Sequence, residues 1–207
     1  MKLQSYVLGI VSTNCYIISG ENTNEAIIID PPDYAVTIAD KLKEQKLVPV
    51  AILLTHGHFD HIMAAGDLSE EFHIPIIACE AEQELLADPN MNGSRMIRKD
   101  FALTADQFIK DNDLLSIGGM KIKVIHTPGH TAGGVCYYFE KEKVLISGDT
   151  LFLESVGRTD LSTGNLETLI EAIRHKLMAL PDDVMVYPGH GDKTTIGYER
   201  IHNPYLR

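Results

Sequence analysis

Apolar positions along this chain come in short runs divided by glycine, proline and polar breaks. Leu3–Leu8, Asn14–Ile18 and Ala26–Ile29 read as strands, broken by Gly9, Gly20 and the Asp30-Pro31-Pro32 stop. From about Tyr34 to Lys46 the period becomes helical, with Val36, Ala39, Leu42 and Lys43 on one face. Val50-Ala51-Ile52-Leu53-Leu54 is uninterrupted and predicts a strand covered on both faces. A second helix is expected from His61 to Phe72, then a strand at Pro75–Ala78. The stretch from Glu80 to about Lys110 is more polar, helical in part (Ala81–Leu86) and otherwise loop. Strands resume at Lys121–Ile125, Gly134–Phe139 and Val144–Ile146. A helix follows over Leu166–Leu180 and a last buried strand at Val184–Tyr187. Strands alternate with helices yet also occur in adjacent pairs, which points to a mixed α/β sandwich in one domain spanning residues 1–207.

Composition narrows this picture little. The 207 residues are 44% hydrophobic and 23% charged, enough for a sizeable core. A formal net charge of −11 with no Lys/Arg cluster argues against a nucleic-acid partner. No apolar run approaches the ~20 residues of a membrane span. Cys15, Cys79 and Cys136 lie far apart without a C-x-x-C spacing, so three reduced, buried thiols are expected, with the cytoplasm as default compartment.

The chemistry sits in Thr55-His56-Gly57-His58-Phe59-Asp60-His61, directly after the buried strand. A chance H-x-H-x-D-H arises on the order of once per thousand chains of this composition. Three further candidates follow apolar strands with a glycine beside them: His130 after Thr127-Pro128-Gly129, Asp149 after Ser147-Gly148, and His190 after Pro188-Gly189. Loops at strand ends are where α/β folds collect functional groups. Seven imidazole and carboxylate groups exceed what one four-coordinate catalytic ion uses, but fit two. His56, His58 and His130 would hold the first ion, and Asp60, His61 and His190 the second. Asp149 would bridge them, and a hydroxide held there would complete both shells. Asp60 would also orient that nucleophile. Zinc suits the donors best, and iron or manganese is also accepted.

At these residues the sequence resembles the metallo-β-lactamase superfamily and, within it, the glyoxalase II-like (hydroxyacylglutathione hydrolase-like) proteins. Asp30, ending an early strand, matches the family's structural aspartate. Thr55–His61 matches its signature loop, and Thr127–Thr131, Gly148–Phe152 and Pro188–Gly191 match the later motifs. The resemblance implies an αββα sandwich of two mixed β-sheets flanked by helices, with a dinuclear site at one edge. It also implies attack of a metal-bridging hydroxide on a small-molecule thioester, S-lactoylglutathione or another acyl-thiol.

The chain departs from glyoxalase II in stopping about 17 residues after His190, without the C-terminal helical domain that binds glutathione. Arg158 stands where the family carries a lysine toward the thiol's carboxylate and is the candidate substrate anchor. Asp160 and Asp192 replace the family's tyrosines. The tail Thr194–Arg200 resembles the short single-domain bacterial branch. His126 is expected to support the core, and His73, His175 and His202 to lie on the surface. The principal alternative is a one-iron persulfide dioxygenase of the same superfamily; a non-catalytic metal-binding module is another. A flavin-linked di-iron reductase is disfavoured, because that branch uses Glu where His58 stands.

Overall fold

The computed structural model describes residues 1–207 and divides the strands into two mixed six-stranded sheets. The first runs β1 (Lys2–Leu8), β2 (Thr13–Ser19), β3 (Glu25–Ile29), β4 (Val48–Leu53), β5 (Ile76–Cys79) and β6 (Gln107–Ile109), in sequence order. β1 to β3 pair antiparallel, and β3 to β6 pair parallel. The second contains β7 (Leu114–Ile117), β8 (Met120–His126), β9 (Val135–Phe139), β10 (Val144–Gly148), β13 (Met185–Pro188) and β14 (Thr194–Thr195), in the order β14-β13-β10-β9-β8-β7. Between β10 and β13 the chain inserts a small hairpin, β11 (Leu151–Phe152) with β12 (Ser155–Val156).

Alternation within the apolar runs explains the layering. In β2, Tyr16 and Ile18 face the second sheet while Cys15 and Ile17 face helices; β3 divides likewise into Ile27 and Ile29 against Ala26 and Ile28. A strand filled on both sides needs no polar face, which is why Ala51–Leu54 is continuously apolar and buried. One outer layer is α1 (Ala35–Glu44), α2 (Phe59–Ile62), α3 (Ala65–Phe72) and α4 (Gln83–Ala87). The other is α5 (Leu166–Ala172), with its continuation Ile173–Leu177, and α6 (Ile196–His202). The architecture is the expected α/β/β/α sandwich.

Several boundaries differ from expectation. The buried face of α1 is Ile38, Ala39 and Leu42; Val36 is 73% exposed and Lys43 reaches outward to Glu71. The expected His61–Phe72 helix is broken at Met63–Ala64, where Ala64 N donates to Pro31 O. That break lets α2 aim Asp60 and His61 inward while α3 packs on the sheet. The Leu166–Leu180 helix starts on an Asn165 cap and widens into a π turn over Ile173–Leu177, ending early. Strands β6 and β7, the β11–β12 hairpin and helix α6 were not indicated by the pattern. β6 is three residues long and the hairpin strands two each, too short for a visible period.

Strand direction then places the chemistry. β8 and β10 are both antiparallel to β9 and β13 is parallel to β10, so β8, β10 and β13 all end on one edge. β4 of the first sheet ends there too, tied across by Val135 N donating to Thr55 O at 2.8 Å. All seven candidate ligands follow these four strand ends.

Candidate metal centre

Two nests of inward-facing atoms occupy this edge. In the first, His130 Nε2 lies 3.3 Å from His56 Nε2 and 2.9 Å from His58 Nδ1. In the second, His190 Nε2 lies 3.3 Å from His61 Nε2 and 3.2 Å from Asp60 Oδ2. Two ligands on a tetrahedral ion at 2.0–2.1 Å stand about 3.3 Å apart, so both nests have the spacing of a coordination shell. Asp149 sits between them. Its Oδ2 is 3.6 Å from His130 Nε2 and 3.6 Å from His190 Nε2, and its Oδ1 is 3.5 Å from His61 Nε2. Asp149 Oδ1 is also buried without a hydrogen-bond donor, a costly arrangement unless a cation satisfies it. The donors therefore fit two ions. A third grouping, Asp30 with His56 and His61, also lies within coordination reach, but Asp30 is already committed.

Buried Asp30 accepts from Thr55 N at 2.7 Å and from Thr55 Oγ1 at 2.6 Å, and faces His61 Nδ1 at 3.0 Å. A carboxylate here only accepts, so His61 carries its proton on Nδ1 and turns Nε2 to the second nest. With the Thr55 hydroxyl proton spent on Asp30, Thr55 Oγ1 accepts from His56 Nδ1 at 3.1 Å, leaving His56 Nε2 free. His130 Nδ1 donates to Arg158 O at 2.7 Å, with the same result. Three imidazoles are thus locked in the tautomer a metal needs.

Charge divides the nests. Burial, then mutual repulsion, holds His56 well below its ordinary value, and burial beside His130 pulls His58 to about 3. Burial likewise lowers His130, partly offset by Asp149. In the second nest burial opposes protonation of His61, but Asp60, Asp149 and Asp30 together raise it to about 10. Burial would raise Asp60, yet His61 and His190 overcome it and hold the carboxyl low. The metal-free site thus carries neutral imidazoles in one nest and a proton in place of a cation in the other.

A pH dependence follows for metal-free protein. His56, His58 and His130 are depressed on folding, so their contribution is complete above the unfolded value of 6.5 and is lost as pH falls below it. His61 and His190, raised on folding, keep their contribution throughout that lower range. Metal-stripped protein is therefore expected to melt at lower temperature at pH 5 than at pH 7, measured by calorimetry. An unchanged or rising Tm would contradict the neutral trio.

One residue of the site has no signal in the sequence. Glu82, within Glu80-Ala81-Glu82-Gln83-Glu84, looks like part of a solvated acidic turn, yet it is buried. Its two oxygens accept from Gly57 N at 2.8 Å and Gly133 N at 2.7 Å, tying the His56–His58 loop to the loop after His130. Glu82→Gln presents an NH₂ group to one of those donors. It is expected to cost roughly 1–3 kcal/mol of stability and to weaken the first nest's ion roughly 10–100-fold, as losses of supporting contacts do. Chelator competition reads this, and unchanged metal retention would exclude the role.

Arg158 lines the cleft above the nests, but its Nε and Nη2 each donate to Asp160 at 2.7 Å. Its backbone carbonyl, not its guanidinium, touches the nests. His126 is half-buried with Nε2 on Ala132 O; His73, His175 and His202 are exposed, and all three cysteines are buried free thiols.

A two-sheet sandwich carrying two such nests at the ends of its strands defines a metal-dependent hydrolase. The chain belongs to the metallo-β-lactamase superfamily, whose model matches residues 8–190. It is 39% identical to the probable metallo-hydrolase YqgX of Bacillus subtilis, over 100% of this chain and 98% of that protein. It is 36% identical to the hydroxyacylglutathione hydrolase GloC of Haemophilus influenzae, over 93% and 92%. Among solved structures it is similar to BLEG-1, a B3 metallo-β-lactamase, with TM-score 0.94, 41% identity and 99% of each chain covered. It is also similar to TTHA1623 in a di-iron-bound form, with TM-score 0.87, 32% identity, and 98% and 100% covered. No helix is long and apolar enough to cross a membrane.

Proposed function

We propose that this chain is a dinuclear metal-dependent hydrolase of acyl thioesters, working as a single domain on a small molecule. The observation that carries this is the pair of nests with the undonated carboxylate of Asp149 between them. His56, His58 and His130 would hold one ion, Asp60, His61 and His190 the other, and Asp149 both. When bound, such a pair supplies a water acidified from about 15.7 toward about 7 and a Lewis acid for the developing oxyanion.

The protein's own part is positioning. Asp60, reached by Thr13 Oγ1 at 3.2 Å, offers the carboxylate that orients the attacking water. The cleft walls hold the acyl group over the nests and limit bulk water. A thiolate leaves readily, so no strong general acid is required, and the relative named for hydroxyacylglutathione supports a thioester over other acyl compounds. The donor chemistry admits zinc first, then iron or manganese, and a di-iron-bound neighbour keeps iron in view. Three free buried thiols suit a reducing compartment such as the cytoplasm.

Elemental analysis of purified protein, followed by a screen of S-lactoylglutathione, other thioesters, a lactone, a β-lactam and a phosphodiester, tests this. Two ions per chain with thioesters cleaved fastest are expected. One iron with oxygen consumption on a persulfide would replace the proposal with the dioxygenase alternative.

A further inference from the structure

The cleft over the two nests has a volume of about 630 Å³ and walls of a different character from its floor. The floor is polar: His58, Asp60, His130, Asp149 and His190. The walls carry apolar side chains, among them Phe59, Met91, Met96, Phe152, Leu161 and Val11 of the β1–β2 turn, with Asn90, Asn92, Ser155 and Ser162 between them. Met96 is 64% exposed and Val11 46%, so apolar surface stands uncovered beside the site, where an occupant would remove it from water. Among the lining residues Arg158 is the only Lys or Arg, and its charge is matched by Asp160. Away from the nests and the ions they would hold, an incoming carboxylate therefore finds no unpaired Lys or Arg along the cleft, on a polypeptide of net charge −11.

From this we infer, building on the thioester reading above, that the preferred substrates are thioesters with an apolar acyl chain on an uncharged thiol carrier. Glutathione thioesters, whose carrier bears carboxylates, are the poorer class. In the reaction the water oxygen bonds to the acyl carbon and the C–S bond breaks, its electron pair leaving on sulfur. One water proton ends on the thiolate and the other in solvent as the carboxylic acid ionises. The chain packs on Met96, Phe152 and Leu161 while the carbonyl lies over the nests.

The test uses metal-loaded protein with acetyl, butanoyl and hexanoyl thioesters of N-acetylcysteamine, compared with S-lactoylglutathione. The expected kcat/KM rises roughly two- to fourfold per methylene, and the hexanoyl compound exceeds S-lactoylglutathione by at least about tenfold. Met96→Ser should flatten the chain-length dependence. Asp160→Asn, by freeing the Arg158 guanidinium, should raise kcat/KM for S-lactoylglutathione several-fold. A flat chain-length series with S-lactoylglutathione preferred overturns the inference. Calorimetry with the uncleavable S-hexyl thioether of N-acetylcysteamine and with S-hexylglutathione separates the two readings. Tighter binding of the uncharged thioether without turnover of any thioester keeps the apolar subsite and removes the thioesterase. Tighter binding of S-hexylglutathione overturns the subsite whatever the turnover.

Discussion

Replacing Asp149 with asparagine is expected to halve the metal content and lower hydrolysis roughly 10³-fold, the scale seen when one preorganised electrostatic stabiliser is lost. Asp149 is set apart by what it does not do. Its Oδ1 has no donor inside the protein, and its other contacts are to the His61, His130 and His190 ring nitrogens that face the nests. Removing its charge therefore breaks no hydrogen bond between protein groups other than those to ligands. In the metal-free site it also takes away one of the three carboxylates that favour the proton on His61, while Asp60 and Asp30 remain. Metal-free Asp149→Asn should consequently melt within a few degrees of the metal-free parent, while the metal-loaded pair should differ widely, because an ion bound only to the folded state adds stability. If the variant retained two ions and full activity, the bridging assignment would fall. If the metal-free form melted much lower, Asp149 would be holding the fold together instead.

Asp30 offers the contrasting case. It binds through Thr55 and His61 and faces no open space, so its loss should damage the metal-free fold as well. The two aspartates separate support from ligation: Asp149 was visible in the sequence because it ends an apolar strand, and Asp30 through the family resemblance. Most of the site was legible for that reason. A strand held in a sheet with at least one buried face fixes the register of whatever follows it, so four strand ends fixed seven side chains. The family resemblance then supplied the two-sheet arrangement that periodicity left open. What stayed hidden were contacts made by residues whose local pattern says the opposite of their environment. Glu82 sits in an acidic turn and is buried by a tertiary contact to two glycine amides. Ile38 displaced Val36 from the core face because Ala35, Ile38, Ala39 and Leu42 recur at i, i+3, i+4 and i+7, a stripe that Val36 lies outside. Arg158 lines the cleft as an anchor would, with its guanidinium on the acid two residues on.

The glycines around the nests hold a second large effect that removes no ligand at all. A Cβ on Gly189 would stand 2.2 Å from Asp149 Oδ1 and 2.7 Å from His61 Cε1. Neither neighbour has somewhere to go: His61 is held on its far side by Asp30, and Asp149 turned away no longer spans the nests. Gly189 is also fixed in place, since its N donates to Gly148 O at 2.8 Å and its O accepts from Asn14 N at 2.7 Å. Gly189→Ala is therefore expected to lower metal occupancy and activity nearly as far as Asp149→Asn, with every ligand still present in the sequence. Gly66→Ala is the matched control. Its Cβ would meet only Leu103 Cδ1 at 3.7 Å, an ordinary contact, and it lies in α3, where alanine is favoured over glycine by about 0.5–1 kcal/mol. That variant should keep both ions and melt slightly higher. Metal analysis and thermal unfolding of the pair decide the matter, and Gly189→Ala with two ions bound would mean that the strand ends yield more readily than their hydrogen bonds allow.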